Sequence, residues 1–155
     1  MPMVWLDHVN IRTSDVGALS AFYEKILGLP SGERPPFGFG GAWHYCGDRA
    51  AVHLVEVPKT PAGKDPKVEH FAFRAKGLGK FVAHLKANDV DYTLVKVPLT
   101  GIIQVNVLDP DGNHIEVQFA PAEADQVTGA EDRSRSATTN VPEPRAKKAR
   151  QKQPA

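Results

Sequence analysis

The sequence contains 155 residues with a formal net charge of +1, 41% hydrophobic residues and 24% charged residues. These values are typical of one globular domain, or of two small modules that share a core. The single cysteine, Cys46, excludes an internal disulfide and a cysteine-based zinc cluster. No apolar run reaches the roughly 18 residues of a membrane helix, and no signal-peptide pattern is found. We therefore expect a cytoplasmic protein without a membrane partner.

The first part of the chain predicts a β-α-β-β-β module over residues 4–57. The alternating segment WLDHVNI indicates a strand. A helix with an apolar stripe is expected to begin after Ser14 as its N-cap and to end at Gly28. A Gly- and Pro-rich loop with room for one short strand follows, and AWHYCG and AAVHLVEV indicate two further strands.

After a linker at residues 58–67, the same order of elements recurs over residues 67–120. The two modules align at a shift of 62 residues in their first halves, which places His8 on His70. In their second halves the shift is 63 residues, which places His53 on Glu116. Neither small module can bury its apolar sheet face alone. We therefore predict an α+β fold in which two paired βαβββ modules share one curved mixed sheet and form a cleft.

Residues 121–155 differ in composition from the predicted domain at residues 4–120. They contain seven Lys and Arg, five Asp and Glu, and no aromatic residue. Such a segment buries too little apolar surface to fold, so we predict a disordered, basic C-terminal tail. Scattered basic residues attract nucleic acid only in a salt-sensitive way, so nucleic acid is not an expected partner.

Strand alternation places four chemically important side chains on the sheet face that is turned away from the helices. They lie on four different strands, at equivalent positions of the repeat: His8, His53, His70 and Glu116. Imidazoles and a carboxylate are suitable ligands for a divalent metal, so we predict a metal site formed by His8, His70 and Glu116. For His53 three roles remain open: a fourth ligand, a base beside the metal, or a hydrogen-bonded neighbour. The remaining histidines are expected to be structural or exposed.

Polar and aromatic residues near this site are predicted to contact the substrate. These candidates are Asn10, Trp43, Tyr45, Arg74, Gln104 and Asn106. Trp43 and Tyr45 alternate with His44 and Cys46 along one strand, so only one of these two pairs faces the cleft. Phe37 and Phe39, in the Gly- and Pro-rich loop, either form a lid or close one end of the core.

The segments LDHV, FYEKILGL, VEHFAF and LDPDGNHIEV, in this order, resemble the vicinal oxygen chelate superfamily. This superfamily includes glyoxalase I, extradiol dioxygenases, fosfomycin-resistance thiol transferases and bleomycin-binding proteins. The resemblance extends from residue 4 to about residue 120. It implies a glyoxalase-like fold with one divalent metal ion per site, either Zn, Ni, Co, Mn or Fe(II). It also implies a homodimer in which one chain supplies His8, and the other chain supplies His70 and Glu116, to each site.

On this resemblance we expect a metal-dependent lyase or isomerase whose small oxygenated substrate chelates the metal through two adjacent oxygens. Glu116 and His53 are then the candidate catalytic groups, with Glu116 the first choice as general base. His53 stands where glyoxalase I has a glutamate. Three alternatives therefore remain open: an extradiol-type Fe(II) dioxygenase, a thiol transferase that confers fosfomycin-type resistance, and a metal-free bleomycin-type drug-binding protein.

Overall fold

The computed structural model describes residues 6–62, 68 and 70–127. In chain order the elements are β1 (Val9–Thr13), α1 (Val16–Lys25), β2 (Gly41–Cys46), β3 (Arg49–Glu56), β4 (His70–Arg74), α2 (Leu78–Ala87), β5 (Tyr92–Lys96), β6 (Ile103–Leu108), β7 (His114–Phe119) and a C-terminal 3-10 helix (Pro121–Val127). This composition confirms the predicted α+β class. Within the described part of the chain, no helix is long and apolar enough to cross a membrane.

The described strands form two sheets, one for each module. The first sheet has the order β1-β3-β2, and the second has the order β4-β7-β6-β5. The chain also divides into two compact units. One contains the described residues up to Phe71 together with Asp109–Ile115, and the other contains Ala72–Leu108 and the described residues from Glu116 onward.

In the first sheet, β3 lies between a parallel and an antiparallel neighbour. Asn10 of β1 and Trp43 of β2 both pair with His53 of β3. The short strand predicted in the Gly- and Pro-rich loop is wrong, because among the described residues it is reduced to one isolated bridge between Ser31 and His44. The prolines of this loop lack the N–H groups that a longer ladder needs.

Helix α1 begins one residue later than the sequence predicts. Asp15, and not Ser14, is the N-cap, and its Oδ1 accepts a hydrogen bond of 2.9 Å from the Ala18 N–H. Ser14 instead contacts Thr60, whose Oγ1 lies 2.7 Å from the Ser14 Oγ and accepts from the Ser14 N–H. The predicted end of the helix is close to correct, because Gly28 has the left-handed φ of 68° that reverses the chain.

A buried carboxylate organises the turn between β6 and β7. The Oδ1 of Asp109, a residue that is 4% exposed, accepts hydrogen bonds from the backbone N–H groups of Asp111 and Asn113. Its Oδ2 accepts from the Asn113 side-chain amide at 2.8 Å and from the Tyr23 hydroxyl of α1 at 3.1 Å. Burial raises the pKa of Asp109, and burial with the nearby Asp109 charge also raises the pKa of Tyr23. The turn is therefore fixed both locally and by α1.

The 3-10 helix caps the start of α2. The Glu123 Oε2 accepts hydrogen bonds from the Gly77 N–H at 2.6 Å and the Leu78 N–H at 2.9 Å, and the Gln126 Oε1 accepts from the Gly79 N–H. The predicted disordered tail at 121–155 is therefore wrong for residues 121–127. Their side chains supply the capping groups that Gly77, the N-cap residue, lacks. The remainder of the predicted tail, 128–155, lies outside the described residues.

The Tyr23→Phe variant tests the contact between α1 and the Asp109 turn. We expect the free energy of unfolding to fall by about 1–3 kcal/mol, because a buried carboxylate loses one of its donors. Urea denaturation at neutral pH measures this change. Tyr45→Phe is the matched control, since the Tyr45 hydroxyl donates to the Glu33 carbonyl at an exposed position. Equal stability of Tyr23→Phe and wild type would contradict the assignment.

Glu123→Ala tests the cap on α2. The two backbone hydrogen bonds lower the pKa of Glu123, so its stabilisation is present above the ordinary carboxyl pKa and is lost as the pH falls through the lowered value. We expect a lower melting temperature than wild type at pH 7, and convergence of the two proteins in acid. Asp125→Ala, on the same 3-10 helix, is the control and should melt as wild type does.

Candidate metal and substrate site

Three rings from the first module form one continuous stack. The His8 and His53 rings have centroids 3.9 Å apart and planes 17° apart, and the His53 and Trp43 rings have centroids 4.0 Å apart and planes 8° apart. The imidazole of His53 is therefore held between His8 and Trp43. This contact resolves the ambiguity on β2, because Trp43 lies on the same sheet face as His53.

Asp7 contacts the other end of this stack. The Asp7 Oδ2 lies 2.8 Å from the His8 Nδ1. An ionised carboxylate can only accept, so Nδ1–H of His8 is the donor, and in the neutral imidazole the lone pair is then on Nε2. A carboxylate that fixes the tautomer in this way is common behind histidine ligands of metals. Asp7 was not among the predicted site residues, although the Asp-His pair is visible in the sequence.

The stack determines which protonation state His53 favours. Burial lowers the pKa of His53, and the neighbouring His8 lowers it further. The imidazole is therefore neutral at physiological pH and able to accept a proton. A metal ion bonded to an imidazole nitrogen lies close to the ring plane. The His8 and His53 rings are nearly parallel, with planes 17° apart, so no single metal position lies close to both ring planes. The two histidines could therefore bind one metal only if one ring left the stack.

Glu116 and His70 lie on the second sheet. Glu116 of β7 is 5% exposed, and its Oε1 accepts a hydrogen bond of 2.6 Å from the Gln118 Nε2. His70 of β4 is exposed, and its ring centroid lies 5.1 Å from that of the buried His114. His114 and Glu116 are two residues apart on β7, so alternation directs them to the same face.

The donor types fit a divalent metal, since imidazole and carboxylate are suitable for Zn, Co, Ni, Mn or Fe(II). Within the described residues of one chain, however, no three His, Cys, Asp or Glu side chains form a group that could hold a metal ion. The structure brings His8 and His53 together, and it brings His70 to His114. The predicted ligand set of His8, His70 and Glu116 stays a prediction.

The predicted substrate-contact residues occupy different environments. Trp43 and Tyr45 line a depression of about 470 Å³ together with Glu33, Arg34 and Pro35. Asn10 is exposed and pairs with His53 across β1 and β3. In the second module Asn106 is fully buried, Gln104 is half-buried and Arg74 is exposed.

An exposed aromatic pair lies beside this depression. The Phe37 and Phe39 rings stack at 5.2 Å and are 45% and 49% exposed, and the Phe37 ring lies 6.1 Å from that of Trp43. The Arg34 guanidinium lies about 5 Å over both phenyl rings and donates to the Phe39 carbonyl at 2.9 Å. This exposure excludes Phe37 and Phe39 from the buried core.

His44 has the structural role that the sequence suggests. It is fully buried, its Nδ1–H donates to the Leu29 carbonyl at 3.0 Å, and its Nε2 accepts from the Ser20 hydroxyl at 3.1 Å. Its ring also lies 5.5 Å from that of Tyr23 on α1. His44 therefore points to the helix side of β2, opposite to Trp43.

The fluorescence of Trp43 reports the state of His53, since a protonated imidazole quenches an adjacent indole. In a Trp5→Phe background, where Trp43 is the single tryptophan, we expect acid quenching with a midpoint below 6.5, the ordinary histidine value. His53→Gln should abolish the transition, while His84→Gln, on the exposed face of α2, should leave it intact. A midpoint at or above 6.5 would contradict the stacked, buried environment.

Two solved structures illustrate what the fold alone permits. A lactoylglutathione lyase from Agrobacterium tumefaciens is 20% identical with a TM-score of 0.61, and the match covers 80% of this chain and 99% of that one. An antibiotic-binding protein from Streptomyces sp. CB03234 is also 20% identical with a TM-score of 0.61, over 77% and 98% of the two chains. Equal likeness to a lyase and to a binding protein confirms the glyoxalase fold but does not select an activity.

Sequence comparison is more specific. Glyoxylase I 4 of Arabidopsis thaliana is 34% identical over 122 residues, which cover 72% of this chain and 68% of that protein. The family model for the Glyoxalase/Bleomycin resistance protein/Dioxygenase superfamily matches residues 5–117, which include both modules. The chain therefore belongs to the Glyoxalase/Bleomycin resistance protein/Dioxygenase superfamily.

Proposed function

We propose that this chain is a metal-dependent lyase or isomerase of the glyoxalase type. Its substrate is a small molecule with two adjacent oxygens, one of them a carbonyl, that chelate a divalent metal. The observation that supports this proposal best is Glu116, a nearly buried carboxylate on β7 that accepts a hydrogen bond from the Gln118 amide. A carboxylate is one of the ligand types that bind a divalent metal together with imidazole. The similarity to Glyoxylase I 4 favours the same activity class.

In this proposal His8, His70 and Glu116 hold the metal. The Asp7 carboxylate prepares His8, because it accepts a hydrogen bond from Nδ1–H and so leaves Nε2 as the ligating nitrogen. When bound, the metal supplies Lewis-acid stabilisation of the charge that develops on the two substrate oxygens. As the resemblance implies, a homodimer with ligands from both chains forms each site.

His53 is the proposed base. The stack between His8 and Trp43 opposes rotation of its ring toward a shared metal, which favours a position beside the metal. Its lowered pKa keeps the imidazole neutral, so it can accept the proton from the carbon next to the substrate carbonyl. Glu116, the first choice from the sequence, is then mainly a ligand. Trp43 and Tyr45, with the depression that they line, are the proposed contacts for the apolar part of the substrate.

The experiment separates metal binding from proton transfer. Protein purified without added metal is analysed for its elements, and solvent deuterium incorporation into hydroxycarbonyl substrates is followed by proton NMR. We expect bound Zn, Ni, Co or Mn in wild type. Glu116→Ala and His70→Ala each remove one proposed ligand, and we expect the affinity for the metal to fall by about tenfold or more. His53→Gln should keep the metal and lose deuterium exchange.

His84→Ala, at an exposed position of α2, is the matched control and should keep both properties. A wild-type protein that stays empty in metal-saturated buffer would overturn the proposal in favour of a drug-binding protein. Bound iron with oxygen uptake on catechols would instead identify a dioxygenase. Light scattering with the metal-to-chain ratio tests the homodimer, and a monomer with full metal occupancy would contradict shared ligands.

A further inference from the structure

The last strand contains a second polar residue beside Glu116. Gln118 lies two residues further along β7, so alternation puts both side chains on the same sheet face. The opposite face of the strand is apolar, with the Phe119 ring 5.7 Å from that of Phe81 on α2. An amide at this position is therefore not needed for packing against the helix.

The contact between the two side chains has one chemically consistent orientation. An ionised carboxylate only accepts, so Gln118 must present its NH₂ group, and its Nε2 lies 2.6 Å from the Glu116 Oε1. A bond this short to a charged acceptor is among the stronger hydrogen bonds in proteins. It restrains the last torsion of the Glu116 side chain, which otherwise rotates with little preference.

The donor is itself held in place by the backbone. The Gln118 carbonyl accepts a hydrogen bond of 2.9 Å from the Ala75 N–H, just after the end of β4. The Gln118 side chain is half-buried, so it has less conformational freedom than an exposed glutamine. The backbone of Gln118 is thus held by Ala75, and its side-chain amide in turn holds the Glu116 carboxylate.

We propose that Gln118 is a positioning residue, which fixes the Glu116 carboxylate in the orientation required to bind the metal. This inference rests on the proposed function, because it assigns a ligand role to Glu116. Gln118 itself does not touch the metal or the substrate. Its hydrogen bond lowers the entropy that Glu116 loses when the metal binds.

Cobalt binding tests the proposal, because the visible spectrum of Co(II) depends on the geometry of its ligands. Gln118→Met keeps the length of the side chain and removes its donor. We expect a Co(II) affinity about 10- to 100-fold below that of wild type, as for other residues that orient a metal ligand. The absorption bands of the bound cobalt should also change in position or intensity.

Gln126→Met is the matched control. It also removes a glutamine side-chain hydrogen bond, in which the Gln126 Oε1 accepts from the Gly79 N–H at the α2 cap. It should lower the melting temperature but keep the affinity and spectrum of wild type. If Gln118→Met matches wild type in affinity and spectrum while Glu116→Ala loses cobalt, the positioning role is overturned and the proposed function stands. If wild type binds no cobalt, both are overturned.

A measurement without any substitution at Gln118 keeps the test valid if Gln118→Met does not fold. In metal-free wild type, ¹H–¹⁵N spectra should show one Gln118 side-chain amide proton shifted downfield by the charged acceptor. In Glu116→Gln this proton should move toward the ordinary amide position, because the carboxylate is gone. An ordinary shift in wild type would show that the bond does not exist in solution and would overturn the inference.

Discussion

The position of β7, the last strand of the second module, depends on the buried carboxylate of Asp109. This carboxylate accepts four hydrogen bonds, three from its own turn and one from Tyr23 on α1. The turn that it fixes sets where β7 begins and therefore which of its residues face away from the helices. A slip of one residue would exchange Glu116 with Val117 and would put the carboxylate on the apolar face. The ligand role proposed for Glu116 would thus depend on an aspartate that is not itself a proposed ligand.

Much of the fold could be predicted from the sequence because the repeat and the alternation are strong patterns. The two helices and all seven observed strands, with their approximate bounds, follow from period-2 and period-3.6 patterns alone. The extra strand after α1 was wrong because the prolines of this loop lack backbone N–H groups, which a hydrophobic pattern does not take into account. Likewise, Ser14 and Asp15 are both good caps, and only the contact of Ser14 with Thr60 decides between them.

The contacts that could not be predicted join residues distant in sequence or depend on side-chain torsion angles. The stack of His8, His53 and Trp43 requires the register of three strands at once. The cap from Glu123 to Gly77 joins residues 46 positions apart, and the composition of the tail hides it. Gln118 had a detectable signal, since an amide two residues from a buried carboxylate on one strand is a candidate donor.

Each donor of the proposed site has a neighbour that restrains it. Asp7 fixes the tautomer of His8, Gln118 engages Glu116, and Trp43 holds His53. Preparation of this kind reduces the reorganisation that accompanies binding or proton transfer. Solved structures with this fold include a lactoylglutathione lyase and an antibiotic-binding protein, so the fold alone does not determine the chemistry.

The place of β1 at the edge of its sheet has a consequence for how the proposed site responds to heating. β1 pairs only with β3 among the described strands, and this parallel pairing joins residues more than 40 positions apart, whereas β2 and β3 form a local hairpin. Edge strands with non-local partners open at a lower free energy than the hairpin beside them. Partial opening would therefore remove His8 from the stack while His53 and Trp43 stay in contact. The proposed activity, which uses His8, would then be lost on heating before the fold melts, and it would return on cooling without refolding of the domain.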